Sequence, residues 1–177
     1  MKRFKEENVY IYLVDDNEMF LKVLETKFKN STNYFIQTFN TGESFLDNIL
    51  SYPASKKTVC IAIIDYNLTT LENVDAKNGL KILKTAKEIN KDIEFIMLSA
   101  EQNPDVASTA LNYGAKTFIN KNDNSFVRLE NNIKWIISQR ILDVRKKHNK
   151  CSQKLFFTSM FIVLIIIMIF YFKEFFN

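Results

Sequence analysis

Five short stretches of this chain are rich in β-branched and aromatic residues, and each is followed by a segment with helical spacing. The most apolar, residues 58–64 (TVCIAII), shows no polar alternation, as expected of a strand buried on both faces in the middle of a parallel sheet. Residues 9–14 (VYIYLV), 34–39 (YFIQTF), 93–98 (IEFIML) and 116–120 (KTFIN) supply the other four strands. Within 17–30, Phe20, Val23, Leu24 and Phe28 share one helical face, with Lys22, Glu25 and Lys29 mostly opposite. Residues 41–44 read as a turn that caps a helix over 45–50, closed off by Pro53. Leu80, Leu83, Ala86 and Ile89 mark the inward face of a helix over 79–90. A fourth helix runs from near Pro104 to Gly114, and a long helical pattern follows Lys121. Strand and helix alternate five times, with each crossover long enough for one helix. That order predicts an α/β fold: a (βα)5 doubly wound, five-stranded parallel sheet.

The strand ends add chemistry to this architecture. The first strand runs into Asp15-Asp16, the third into Asp65, the fourth into Ser99 and the fifth into Lys121. In a parallel sheet these groups converge on one edge, where open α/β sheets form their crevice. Asp65 taken alone reads equally well as the start of a turn; its convergence with the other groups is what favours a site. Asp15, Asp16 and Asp65 form a set of oxygen ligands suited to Mg²⁺. Two carboxylates about 5 Å apart repel by roughly 3 kcal/mol at an effective dielectric of about 20, a cost that a divalent ion removes. Such an ion also holds a carboxylate and a phosphoryl group in line. Lys121 offers a point charge to a phosphoryl oxygen, and Ser99 offers one hydrogen bond.

Residues 7–140 resemble the receiver domain of two-component response regulators, which has the flavodoxin-like fold. Asp15 and Asp16 match its acid pair, Asp65 its phosphoacceptor, Ser99 its switch hydroxyl, Phe118 its switch aromatic and Lys121 its lysine. Asn67 falls where the family lends a backbone carbonyl to the metal. The resemblance implies Mg²⁺ as cofactor and a histidine kinase or phosphotransfer protein as phosphoryl donor, and admits a homodimer. It implies a phosphoacceptor signalling domain rather than an enzyme, limited to its own phosphotransfer and slow dephosphorylation. On the residues alone, Phe118 reads equally well as ordinary core. Two departures stand out. Asn122 follows Lys121 where the family has a cis-proline, so a trans bond is expected, a non-proline cis bond costing about 3 kcal/mol. Gly79 lies fourteen residues after Asp65 rather than about eight, so the loop over 68–78 is enlarged by about six. A different class, the haloacid-dehalogenase-type phosphatases, has a DxDxT signature that residues 65–69 (DYNLT) match in part. Asn67 cannot serve there as the general acid/base, and that motif sits on the first strand, not the third.

Charge is unevenly spread. Residues 1–139 carry 17 Lys/Arg against 18 Asp/Glu, and residues 140–154 carry six against one, so the net +4 does not indicate nucleic-acid binding. Cys60 and Cys151 form no disulfide framework and suit a reducing compartment; Cys151 is also a candidate for lipidation. The N-terminus is not a signal peptide. Residues 155–172 (LFFTSMFIVLIIIMIFYF) contain no charge, Gly or Pro, and 13 of the 18 are Leu, Ile, Val or Phe. As a helix they extend about 27 Å, close to the hydrocarbon thickness of a bilayer. Insertion would gain roughly 4–8 kcal/mol. The expected organisation is a receiver over 1–140, a basic juxtamembrane helix over 141–154, a transmembrane helix over 155–172 and a short non-cytoplasmic tail over 173–177. Arg140, Arg145, Lys146, Lys147, Lys150 and Lys154 precede the span, which places the receiver in the cytoplasm and the basic run against the lipid bilayer. The helix leading there is expected to be weakest over 148–152. The chain leaves no residues for a DNA-binding segment, so the expected output is a contact with a membrane or cytoplasmic target protein. The alternative is a phosphate sink or a non-switching membrane scaffold.

Overall fold

A computed structural model describes residues 9–51, 58–68, 78–101, 103–122 and 124–175, without the side chains of 144, 145, 147–152, 154, 155, 166, 167 and 169–175. Strands and helices alternate as β1 (Val9–Val14), α1 (Glu18–Ser31), β2 (Phe35–Phe39), α2 (Gly42–Ser51), β3 (Val59–Asp65), α3 (Gly79–Ile89), β4 (Glu94–Ser99), α4 (Pro104–Asn112), β5 (Ala115–Asn120) and α5 (Ser125–Phe175). The strands form one parallel sheet in the order β2-β1-β3-β4-β5. The chain winds outward from β1 to β2, then returns across β1 to β3. The strand order therefore reverses between β1 and β3, the place where such sheets open a crevice at their C-terminal ends.

β3 is buried at all seven positions, which explains its unbroken apolar run. Alternation along the strands sorts side chains into two layers. Ile11, Leu13, Ile61, Ile63, Ile96, Leu98 and Ile119 face α1 and α5, where they meet Leu21, Leu24, Phe28, Leu129, Ile133 and Ile136. Tyr12, Val14, Cys60, Ala62, Ile64, Phe95 and Met97 face the opposite layer, against Phe45, Leu46, Ile49, Ile82, Leu83, Ala86 and Ala110. Helices cover both faces, as the strand–helix order requires. Two inward positions differ from expectation. In α1, Leu21 is buried beside Leu24 and Phe28, and Val23 is 46% exposed. In α3, Ile82 is buried and Leu80 only partly so. At about 100° per residue, positions two apart lie on opposite flanks of the apolar stripe, and packing against the sheet sets the rotation of the helix and so which flank is buried.

The described residues divide into two compact units, Met1–Ile137 and Ser138–Asn177. α5 is helical without interruption through 148–152 and on to Phe175, so the expected weak point is not a break in the helix. Within the second unit, Phe156, Phe157, Phe161, Ile162, Val163, Leu164, Ile165 and Met168 are exposed. Among the described residues no helix is long and apolar enough to cross a membrane. Seven side chains of the 155–172 stretch lie outside the described residues, as do Cys151, Pro53, the tail beyond Phe175 and most of the enlarged loop, residues 69–77.

Candidate functional site

The C-terminal edge of the sheet is held beyond the strands themselves by backbone hydrogen bonds. The Asp15 amide donates to Phe39 O at 3.1 Å, the Tyr66 amide to Leu98 O at 2.8 Å, and the Lys121 amide to Ser99 O at 2.7 Å. Asp15 and Lys121 are thereby tied directly to the neighbouring strand, and Asp65 through the next residue, Tyr66. Alternation then places Asp15, Asp65 and Lys121 on the α1/α5 side of the sheet, continuing Leu13, Ile63 and Ile119. Ser99 and Phe118 fall on the other side with Met97.

Asp15, Asp16 and Asp65 each bring a carboxylate oxygen within 4.8 Å of the others. Asp15 and Asp65 are buried and Asp16 is half-buried. Lys121 Nζ bridges the two buried acids, at 2.7 Å from Asp15 Oδ2 and 2.9 Å from Asp65 Oδ1. The ammonium also lies over the ring of Phe20, 4.6 Å from its centroid. Asn17 joins these parts: its amide donates to Asp15 Oδ1 at 2.9 Å, and its own Oδ1 caps α1 by accepting from the Phe20 amide at 3.0 Å.

Burial pushes the Asp65 carboxyl up to about 6; Lys121 opposes that rise, and the charges of Asp15 and Asp16 add to it. For Lys121, burial pulls the ammonium down, but the hydrogen bond to Asp15 and the charges of Asp65 and Asp15 outweigh it and the net shift is upward. Three carboxylates against one ammonium leave a formal charge of about −2 in a buried crevice, which a divalent cation would neutralise. The donors are all oxygens, as Mg²⁺ prefers. The residues present therefore fit the expected metal.

The structure brings together Asp15, Asp16, Asp65 and Lys121 as expected. Ser99 is buried at the end of β4, where its hydroxyl accepts from the Glu101 amide at 3.1 Å. Phe118 is partly buried against the α2–α4 layer, opposite Met97 in the strand register. Asn67 is exposed two residues beyond β3. The Lys121–Asn122 bond is trans. Phe20 and Asn17 had no place among the expected site residues. Asn17 carried the signal of a helix N-cap, but the apolar spacing that marks Phe20 is the same for any core residue. Gly79 is the third addition. Its amide donates to Tyr66 O at 2.9 Å, and a Cβ there would collide with the Asp65 carbonyl oxygen. The enlarged loop thus leaves and rejoins the site at the end of β3.

Residues 11–133 match the response regulator receiver domain family. No curated protein matches the chain. Among solved structures, the beryllofluoride-activated NtrC4 receiver domain dimer is similar at 21% identity and a TM-score of 0.62, covering 74% of this chain and 98% of that one. A CheY-like receiver from Methanospirillum hungatei JF-1 is similar at 20% identity and 0.60, covering 73% and 94%. A response regulator receiver from Pseudoalteromonas atlantica is similar at 23% identity and 0.58, covering 73% and 98%. These likenesses establish the fold. The family match spans most of the chain and contains every member of the acid–lysine cluster, so the chain belongs to the response regulator receiver domain family.

Proposed function

We propose that this chain is a membrane-anchored receiver that accepts a phosphoryl group on Asp65 and signals by protein contact. The observation that carries the reading is the buried cluster of three carboxylates with Lys121 laid across two of them. Asp15, Asp16 and Asp65, with the Asn67 backbone carbonyl, would hold Mg²⁺, which supplies charge neutralisation and alignment for the transferring group. An Asp65 carboxylate oxygen forms a bond to phosphorus as the P–N bond of a phosphohistidine breaks. The electron pair leaves with the imidazole nitrogen, which is reprotonated from solvent. Lys121 meets the charge on the incoming oxygens, exchanging part of its carboxylate contacts for them. The Ser99 hydroxyl, now bonded to the Glu101 amide, turns to donate to a phosphoryl oxygen, and Phe118 moves into the space vacated on that side of the sheet.

The donor is a histidine kinase or phosphotransfer protein, and the target is a membrane or cytoplasmic protein. A second copy of the chain is also a candidate partner, since the similar NtrC4 receiver is a dimer. The chain's own chemistry is confined to phosphotransfer and slow dephosphorylation. Anchoring rests on the uncharged 155–172 stretch, on the helical course of α5 through it, and on the exposed apolar side chains from Phe156 to Met168. The basic residues before it favour a cytoplasmic receiver in a single-pass arrangement. A phosphate sink is the second reading, because the same cluster would serve it. Phosphate-affinity gels of wild type and Asp65→Asn, incubated with a small phosphodonor, test the central part. A shift that is confined to wild type and lost on chelation is expected. Equal shifts in both, or a shift that survives chelation, would overturn it.

A further inference from the structure

Lys121 has to remain aimed at the site while its ionic partners change. Its backbone is fixed through the Ser99 carbonyl, and its ammonium touches Asp15, Asp65 and the ring of Phe20. The two carboxylates are the groups that a divalent cation would draw toward itself. The ring is different, because an aromatic face does not ligate a hard cation yet still attracts an ammonium through its quadrupole. Phe20 is also placed with unusual economy: Asn17 binds its amide and, through its own amide, the Asp15 carboxylate. The ring, the metal-side acid and the lysine tip therefore belong to one connected unit at the start of α1.

On the reading that Asp65 is the acceptor, we infer that Phe20 is a positioning residue for phosphotransfer, holding the Lys121 ammonium against its ring face as the carboxylates are taken up. The competing account is that Phe20 only fills space against the α1/α5 core, with which it is partly buried. Shape decides that role, whereas the electron density of the ring decides the inferred one.

The test uses the full chain with Phe20 replaced by phenylalanine analogues of increasing fluorination, which weaken the quadrupole at nearly constant shape. The readout is the rate of phosphorylation by acetyl phosphate with Mg²⁺. The rate should fall stepwise through the series, by roughly two- to fivefold in all. Phe20→Leu should fall at least as far, and Phe20→Trp should recover most of the loss. A second readout needs no phosphodonor: in ¹³C-lysine-labelled chain, the Lys121 ε-methylene should be shifted upfield by the ring and should lose that shift in Phe20→Leu. A flat fluorination series in a chain that phosphorylates normally overturns the inference, as does an ε-methylene resonance indifferent to Phe20→Leu. A wild-type chain that takes up no phosphoryl group at all overturns the acceptor reading instead, and the resonance still decides whether the contact exists.

Discussion

A carboxylate that attacks phosphorus has to be ionised, and Asp65 sits where ionisation is costly. Its value of about 6 lies above the ordinary 3.8, so the folded chain binds that proton more tightly than the unfolded chain does. The stability from the proton is fully present below about pH 4 and is lost as pH rises through about 6. In metal-free protein at pH 7.5, Asp65→Asn should therefore stabilise the fold, by up to about 3 kcal/mol for a shift of this size. Urea unfolding at pH 7.5 and pH 4 checks this, since the gain should shrink at the lower pH. A proton on Asp65 also competes with a metal ion. Mg²⁺ affinity, followed by titration, should weaken by about tenfold per pH unit below about 6 and stay flat above about 7. The acids and the lysine were legible in the sequence because they end apolar runs. The bonds from Lys121 to Asp15 and Asp65 were not, because pairing across 106 and 56 residues is a product of strand order and register.

At the scale of elements, β1 was legible to the residue and the other strands to within one: the central strands because burial on both faces demands continuous apolar runs, and the half-exposed edge strands β2 and β5 because β-branched and aromatic residues mark them. Helix faces were less legible. Leu21 rather than Val23 turns inward because helical spacing leaves the rotation of α1 to its packing partners. The start of α3 shows a constraint that spacing alone concealed. Gly79 lies against the Asp65 carbonyl, so its position fourteen residues after Asp65 lengthens the loop while keeping the close approach that glycine permits. Gly79→Ala should push α3 away from the end of β3. We expect a loss of about 1–3 kcal/mol in urea unfolding, with slower phosphorylation because the Asp65 backbone moves with it. Unchanged stability would show that the strand end yields without cost.

For the whole molecule, the division after Ile137 leaves all the site residues in the first unit. A chain ending at Arg140 should still take up phosphate on Asp65, and phosphate-affinity gels would show it. Residues 155–172 carry only Thr158 and Ser159 as small polar side chains, both near one end, which argues against tight helix–helix packing through this stretch. On the proposed anchoring, replacing the stretch with an unrelated apolar helix should keep the chain in the membrane fraction and preserve signalling output. Loss of output with fractionation and phosphorylation intact would assign partner recognition to residues 155–172 themselves. The central claim, phosphoryl transfer to Asp65, is tested most directly by chemical trapping. Borohydride converts an aspartyl phosphate to homoserine, so the modified position can be read by peptide mass spectrometry. After incubation with phosphodonor and Mg²⁺, homoserine should appear at position 65 and disappear when Mg²⁺ is chelated; homoserine at Asp15 or Asp16 instead, or none in the peptide containing Asp65, would contradict the account.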